Sequence, residues 1–295
     1  MKIFKILFLN KIDKVYLAPS VSKKGLYKDY LTILILKVFK VKRYYHLHNK
    51  GVSKRKKSKI LDLLYKSFFK NAKVVLLSEK LYDDVKDFVK KDDVFICPNG
   101  IKDEYNFNKK ENKNIFNILF LSNLIESKGV FILLEACKIL KDKNINFLCN
   151  FVGGEGDISK EIFNLKVQEL NLQNNVTYLG RKYNNEKKEI FLNSDVFVFP
   201  TFYHNETFGL VNVEAMMYSL PVISTDEGGI SDIIEDGKTG YIIEKKNSKV
   251  LAKKIELLSK DHQLRKMLGE NGRKRFEDKF CFEIFEEKMI EILSY

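Results

Sequence analysis

The chain has 295 residues, of which 45% are hydrophobic, so it is long enough for one large or two medium domains with a buried core. The apolar stretch at residues 31–36, which includes Thr32, is broken by Lys37 and is far shorter than the roughly 20 residues of a membrane-spanning helix. The opening residues have no small-residue cleavage site, so we expect no secretory signal.

The cysteines bear on the redox state of the protein's compartment and on whether the chain binds a metal. The four cysteines stand in apolar contexts at Cys97, Cys137, Cys149 and Cys281. Their spacing is not that of a metal site. We therefore expect reduced thiols in or near the core of a cytoplasmic protein.

The formal net charge of +13 is concentrated in the first part of the chain. Residues 1–110 hold 27 Lys and Arg against 11 Asp and Glu, whereas the remainder holds 25 against 28. The densest basic run is KRKKSK at 54–59, which has the alternative interpretation of a solvated helix start. A basic surface attracts an anionic membrane, a pyrophosphate-bearing lipid or a nucleic acid. Nucleic acid ranks last, because the basic residues are not interleaved with aromatic ones in a known RNA-binding pattern.

The first half of the chain alternates predicted strands and helices. The strands are predicted at residues 14–19, 43–48, 73–78 and 93–98. The helices are predicted at residues 26–41, 53–71 and 79–90. An irregular stretch rich in Asn and Lys, 99–114, follows them and is the best candidate for a domain boundary.

The second half repeats this alternation with clearer apolar strands. They are predicted at residues 116–122, 146–153, 175–180, 195–200, 220–225 and 239–244. The helices are predicted at residues 128–142, 157–171, 185–193, 210–218 and 247–259, with more to the end. Apolar strands alternating with helices are typical of parallel sheets covered on both faces. We therefore predict an α/β protein with Rossmann-like, doubly wound domains at 1–110 and 111–280, and a helix at 281–295 that packs back toward the first domain.

Ligands of parallel α/β sheets bind beyond the carboxyl ends of the strands. In this chain those loops are predicted at 122–129, 153–157, 180–182, 200–209 and 225–230, and they contain most of the glycines of the second half. Glycine lets the backbone approach a ligand closely, and exposed backbone N–H groups bind anions. The loops therefore predict a nucleotide or similar phosphate-bearing ligand.

Seven motifs extend this prediction. They are CPNGI (97–101), LSNLIESKGV (121–130), FVGGEGD (151–157), VTYLGR (176–181), ETFGLVNVE (206–214), LPVISTDEGGISDII (220–234) and DGKTGYII (236–243). In order and spacing they resemble the retaining glycosyltransferases of family four, whose mark is the Glu-x7-Glu element in ETFGLVNVE. The resemblance implies the GT-B architecture, in which two Rossmann-like domains face each other across a cleft.

The resemblance also implies roles for individual residues. Glu206 would lie beside the donor sugar and stabilise positive charge at its anomeric carbon. Gly209 and Leu210 would offer backbone N–H groups to the donor diphosphate. Glu214 would accept hydrogen bonds from the ribose hydroxyls. Lys128 would neutralise the leaving nucleotide diphosphate. Taken alone it favours a solvated lysine beside a helix-opening glycine, and the flanking motifs favour the phosphate contact.

Four further residues are implied at the donor site. Phe208 lies in the same FGL core, and Gly153 lies in the loop of FVGGEGD. The family usually carries an arginine a few residues before the lysine, where this chain has Asn123. Arg181 is a candidate to replace that cation, or to face the nucleotide base.

The histidines are candidates on the acceptor side. His48 ends a predicted strand, as in the family, and is our candidate for a catalytic role; the alternative is a loop histidine. His46 shares its strand face, because residues two apart point the same way, and its alternative is a buried polar core residue. His204 stands close to Glu206 in the sequence, and His262 is expected at the surface.

The first domain departs from the family in length. The family begins with further βα units, including a glycine-rich loop after the first strand, whereas residues 1–110 contain only Gly25, Gly51 and Gly100. We therefore expect a fragment, a short form, or an enzyme whose missing part comes from a partner polypeptide. An open sheet edge at that point would favour such a partner.

Together these features predict a cytoplasmic glycosyltransferase, peripheral at the inner face of the membrane, that acts in cell-surface polysaccharide or glycolipid synthesis. It would use a nucleotide-diphosphate-sugar donor and a glycan or lipid-linked acceptor. No DxD-type motif stands at a sugar-binding position, so we expect no metal and no cofactor. The alternative is a non-catalytic or partner-dependent protein that binds nucleotide sugars.

Overall fold

A computed structural model describes residues 2–21, 23–55, 58–105 and 115–295. The chain forms two compact units. The first comprises Met1–Asn99, Asn205–Phe208 and Phe285–Tyr295, and the second comprises Gly100–His204 and Gly209–Ile284. Part of the KRKKSK run and most of the predicted boundary at 99–114 lie outside the described residues.

Four parallel strands form the sheet of the first unit and are hydrogen-bonded in chain order. They are β1 (Lys14–Leu17), β2 (Lys42–Leu47), β3 (Ala72–Leu76) and β4 (Val94–Ile96). The helices along this part of the chain are α1 (Lys2–Leu9), α2 (Lys23–Val38), α3 (Lys59–Phe69) and α4 (Tyr82–Val85). Short 3₁₀ turns occur at Ser53–Arg55, Glu79–Leu81 and Lys91–Asp93.

Six parallel strands form the sheet of the second unit, in the order β10-β9-β8-β5-β6-β7. They are β5 (Phe116–Leu121), β6 (Phe147–Val152), β7 (Val176–Gly180), β8 (Val196–Phe199), β9 (Val222–Thr225) and β10 (Gly240–Ile243). The helices are α5 (Val130–Asp142), α6 (Lys160–Glu169), α7 (Asn184–Leu192), α8 (Leu210–Met217), α9 (Ile230–Ile233), α10 (Ser248–Lys260) and α11 (His262–Lys279), with a 3₁₀ turn at Glu126–Lys128. The strand order reverses between β5 and β8, which is the topological switch point where such sheets bind ligands.

The last helix, α12 (Phe282–Ser294), supplies core side chains to the first unit. Its Met289 and Ile292 form a buried cluster with Tyr44, Val75 and Cys97. The next residue of β2, Tyr45, points to the opposite face, where its ring lies 5.1 Å from the ring of Phe68 on α3. Successive strand residues alternate between faces, so β2 is covered on both sides.

The α/β class with two parallel sheets, predicted from the alternation of strands and helices, is confirmed. Each predicted strand is present, with ends displaced by three residues or fewer. Two helices were not predicted: α1, where lysines interrupt the apolar residues, and the four-residue α9. The predicted helix at 53–71 is divided, because a 3₁₀ turn precedes α3.

Helices α1 and α2 bury only part of their apolar surface. Leu7 packs with Leu36 and Val41 in a small core of the first unit. Other large apolar side chains of these helices remain exposed, among them Phe4, Phe8, Leu9, Leu31 and Val38. No helix in the described parts of the chain is long and apolar enough to cross a membrane.

All four cysteines are free thiols. Cys97 is buried in the first unit, whereas Cys137 and Cys149 are buried together in the second. Burial raises the pKa of Cys97 to about 11 and also raises that of Cys149. Cys281 is half-buried, and its thiol donates to the carbonyl oxygen of Glu277.

Candidate functional site

The loops that follow β5 and β8 meet at the switch point of the second sheet. The backbone N–H of Phe202 donates to the carbonyl oxygen of Ser127 at 2.7 Å. Gly129 has a φ of 90°, and a Cβ added there would collide with the carbonyl oxygen of Pro200. Position 129 therefore requires glycine twice over, for its left-handed backbone and for the close approach of the two loops.

Lys128 stands at this junction, on the last residue of the 3₁₀ turn that precedes Gly129. Its Nζ lies 4.5 Å from the ring centroid of Tyr203 and 5.4 Å from that of Phe199. The face of an aromatic ring attracts an ammonium group although it carries no net charge. These two rings therefore orient the cation without neutralising it.

Asn123 and Arg181 both lie against Gly154, in the loop after β6. The Oδ1 atom of Asn123 accepts a hydrogen bond from the Gly154 N–H at 3.0 Å. A Cβ on Gly154 would collide with the guanidinium group of Arg181. At the neighbouring Gly153, a Cβ would collide with the carbonyl oxygen of Ser122. Asn123, Gly153 and Arg181, predicted separately from the sequence, thus belong to one loop cluster.

Helix α8 begins at Leu210, directly after the loop that follows β8. Gly209 caps this end with a φ of 75°, and both the backbone and the side-chain amide of Asn212 donate to its carbonyl oxygen. A Cβ on Gly209 would lie 2.7 Å from the Asn212 side-chain nitrogen. The first N–H groups of a helix are unpaired and lie at its positive end, so this terminus suits an anion.

Glu214 lies one turn further along α8, is half-buried and lines a cavity of about 240 Å³. The Nζ of Lys187 on α7 lies 2.7 Å from its Oε2. The two opposite charges attract each other, although the buried Oε2 has no hydrogen-bond partner of good geometry among the described residues. Glu214 is therefore held by a cation that a ligand hydroxyl would have to displace or share.

Two aromatic side chains line this cavity. The rings of Phe191 and Tyr218 stack with centroids 4.9 Å apart and planes 9° apart. Burial, with smaller contributions from nearby carboxylates, raises the pKa of Tyr218 to about 12, so its phenol stays protonated. The sequence reading missed Lys187, Phe191 and Tyr218. The available signal was the position of Lys187 and Phe191 on the predicted helix at 185–193, which precedes the predicted helix that contains Glu214.

Glu206 and His48 belong to the first unit, as does the whole segment 205–208. The Thr207 hydroxyl donates to the carbonyl oxygen of His48 at 3.2 Å. Phe208 is buried, and Glu206 is half-buried. The two residues predicted as catalytic therefore stand on segments that are hydrogen-bonded to each other.

His46 and His48 share one face of the end of β2, and their ring centroids are 4.2 Å apart. His46 is fully buried, and burial lowers its pKa to about 4, with His48 adding to the effect. The pKa of the more exposed His48 is also lowered by partial desolvation. His204 is exposed beside Tyr203, and His262 is exposed at the start of α11.

Within residues 2–21, 23–55, 58–105 and 115–295, His, Cys, Asp and Glu side chains form no group of three that could hold a metal ion. The expectation of a metal-independent reaction stays a prediction.

The second sheet, with its switch point and glycine turns, defines a Rossmann-like α/β domain. Solved structures share the fold of the whole chain. The Anabaena HepE protein in complex with UDP superposes with a TM-score of 0.83 at 20% identity, over 99% of this chain and 81% of that one. A glycosyltransferase from Rickettsia africae gives 0.83 at 23% identity, over 99% and 78%.

Sequence comparison gives the family. The model of "Glycosyl transferases group 1" matches residues 101–275, and the chain belongs to this family. It is 35% identical over 189 residues to the capsular polysaccharide biosynthesis glycosyltransferase CapM of Staphylococcus aureus, covering 63% of this chain and 47% of that protein. It is also 35% identical over 222 residues to an uncharacterized glycosyltransferase of Methanocaldococcus jannaschii, covering 73% and 59%. The chain thus spans about half the length of the curated relatives it matches.

Proposed function

We propose that this chain is a retaining glycosyltransferase that moves a hexosyl group from a nucleotide-diphosphate sugar to an acceptor in cell-surface polysaccharide or glycolipid synthesis. The observation that carries the proposal is the switch point of the second sheet, where Lys128 and the start of α8 both suit a diphosphate. The functions of similar proteins support it, since CapM acts in capsular polysaccharide biosynthesis and HepE binds UDP.

The second unit would hold the nucleotide part of the donor. The diphosphate would receive backbone N–H groups from Gly209 and Leu210 and the charge of Lys128. These donors stabilise the negative charge that grows on the leaving diphosphate as the glycosidic bond breaks. Glu214 would accept hydrogen bonds from the ribose, and Lys187 would remain beside it to balance the carboxylate charge.

The first unit would act on the sugar. As the bond to the diphosphate breaks, positive charge develops at the anomeric carbon, and the carboxylate of Glu206 would stabilise it. His48 would donate or accept a hydrogen bond with a sugar hydroxyl. Its lowered pKa favours the neutral imidazole, which does not repel the developing positive charge.

Arg181 would supply the cation that Asn123 does not. Both side chains lie against Gly154, so Arg181 can reach the region where an arginine at position 123 would stand. Replacing Arg181 with glutamine would then weaken UDP binding, and adding Asn123→Arg to that variant would restore it. Unchanged UDP affinity in Arg181→Gln would reject this assignment.

Two measurements on the purified chain, of nucleotide binding and of sugar transfer, test the proposal. Calorimetric titration with UDP, GDP and other nucleoside diphosphates measures donor binding, and radiolabelled nucleotide sugars with polyprenyl-phosphate-linked acceptors measure transfer. Transfer that persists in EDTA supports the metal-independent reaction that we propose. Absence of any nucleotide binding contradicts the proposal as a whole.

The acceptor side would face an anionic membrane. Leu9 on α1 is an exposed apolar side chain within the basic part of the chain, and basic segments with apolar side chains bind anionic bilayers. This would place the protein in the cytoplasm, at the inner face of the membrane. Leu9→Ser should weaken co-sedimentation with phosphatidylglycerol vesicles. The equally exposed Leu165→Ser, on α6 of the second unit, should not; equal losses would reject this surface.

A second candidate function is nucleotide-sugar binding that needs a partner polypeptide for catalysis. Among the described residues β1 pairs with β2 alone, so its other edge can accept a further strand. Apolar side chains next to this edge, on α1, would be covered by the same partner. Nucleotide binding without transfer or donor hydrolysis by the isolated chain would favour this candidate.

A further inference from the structure

His46 occupies an unusual position for a polar side chain. It is fully buried in the first unit, with its ring 4.2 Å from His48 and 6.1 Å from Phe285 of α12. Its Nε2 has no hydrogen-bond partner of good geometry among the described residues, although the backbone of Cys97 lies near enough to affect its titration. A buried polar atom without a partner lowers stability, and a phenylalanine would fill the same space without that cost.

The other nitrogen of the ring is fixed from β1. The Tyr16 Oη lies 2.8 Å from Nδ1 of His46. Burial, and then the nearby Cys97, raises the pKa of Tyr16, so the group is a protonated phenol that can donate to Nδ1. We assign the arrangement in which His46 Nδ1 accepts and the proton of the neutral ring is on Nε2.

The surroundings of His46 disfavour a charge on it. The titratable groups facing it are Tyr16 from β1, His48 from β2 and Cys97 after β4, with Lys288 of α12 near Cys97. None of these contributes a negative charge at neutral pH. His46 thus stays neutral beside His48.

We propose that His46 and Tyr16 are positioning residues for His48: the phenol fixes the tautomer and plane of His46, whose ring fixes the orientation of His48 toward the donor sugar. The inference rests on the proposed role of His48 in transfer. Loss of alignment at a reacting group reduces the rate of the chemical step more than it reduces binding.

The first test does not depend on activity. Nitrogen-15 NMR of the imidazole groups should show His46 as the Nε2–H tautomer, and Tyr16→Phe should change that tautomer and move the signals of His48. The matched control is Tyr27→Phe, which alters an exposed tyrosine on α2 and should leave both rings unchanged. An Nδ1–H tautomer in the unaltered protein, or unmoved His48 signals in Tyr16→Phe, would overturn the proposal.

The second test uses transfer kinetics. His46→Phe and Tyr16→Phe should each lower kcat by about tenfold, with little change in UDP affinity, as expected for modest misalignment. In a His48→Ala background neither substitution should lower kcat further. Equal losses in that background would show a merely structural role and reject the proposal. If the unaltered chain fails to transfer sugar, the NMR result still decides the positioning claim.

Discussion

The two units use their parallel sheets in different ways. The second sheet reverses its strand order at β5 and β8, and its candidate site consists largely of backbone held by Gly129, Gly153 and Gly209. The first sheet runs in chain order, and its candidate site consists of side chains, chiefly Glu206 and His48. The difference suggests that phosphate binding depends on main-chain geometry and that sugar chemistry depends on single side chains. Substitutions in the two units should therefore fail in different ways.

The largest effect is expected at Glu206. Replacing it with glutamine removes the negative charge that stabilises the anomeric carbon, and transfer should fall by about 10²–10³-fold, the range for loss of one electrostatic group. UDP affinity, measured by calorimetry, should change little. The control is Glu186→Gln on α7, where an exposed glutamate pairs with Lys182. Wild-type turnover in Glu206→Gln would break the distinction between the two units.

The next effect concerns acid stability of the first unit. The pKa of His46 is lowered to about 4 in the folded state, so the unfolded chain binds more protons between its ordinary value near 6.5 and pH 4. Stability contributed by His46 is therefore present above pH 6.5 and lost as the pH falls to about 4. The loss should total roughly 3 kcal/mol, at about 1.4 kcal/mol for each pKa unit.

Denaturant unfolding at several pH values measures this loss. His46→Phe should flatten the acid limb of the profile relative to the unaltered protein. His262→Phe, at an exposed position on α11, should leave the limb as it was. Identical acid limbs in the His46 variant and the unaltered protein would contradict the assignment of a buried, neutral imidazole.

A smaller effect is expected at Lys128. Lys128→Met keeps an apolar stem against Tyr203 and Phe199 but removes the cation. UDP affinity should fall by roughly tenfold to hundredfold, the value of a hydrogen bond to a charged group. UMP, which has one phosphate fewer, should lose less affinity. Equal losses for UDP and UMP would move Lys128 away from the terminal phosphate.

The smallest effect separates backbone strain from loop contact in the second unit. Gly129→Ala places a side chain on a backbone with a φ of 90°, which strains the residue, and brings its Cβ into collision with Pro200. Gly237→Ala, outside the predicted ligand loops, adds a strained φ of 73° with no atom near the new Cβ. Strain alone costs about 1–2 kcal/mol, so both variants should be destabilised. Thermal unfolding should show the larger loss for Gly129→Ala, and only that variant should lose UDP affinity.

Glycines explain how much of the second unit was predictable from sequence. A glycine at the end of an apolar strand indicates a positive φ or a close backbone approach; Gly129 and Gly153 show both, and Gly209 shows the positive φ. The contact of Arg181 with Gly154 could only be suspected, because it joins loops separated in the sequence. The pairing of Glu214 with Lys187 was not predicted, since each residue alone reads as a solvated charge on a helix.

The first unit was predictable in its strands but less so in its site. Strand alternation correctly placed His46 and His48 on one face. The partner of His46 is Tyr16 on β1. The sequences of β1 and β2 do not predict the register in which these two strands pair. The hydrogen bond from Thr207 to His48 joins residues far apart in the chain, so the inclusion of 205–208 in this unit required the structure.

The positions of the cysteines allow local unfolding of each unit to be followed through the reactivity of its own thiols. Cys97 belongs to the first unit, and Cys137 and Cys149 belong to the second, all of them shielded from solvent. A thiol reagent should modify Cys281 first and the others only when their surroundings unfold. Mass spectrometry of modified peptides over time would therefore time the opening of each unit separately, without any label or substitution. With a nucleotide present, slower modification of Cys137 and Cys149 would show which unit the ligand protects.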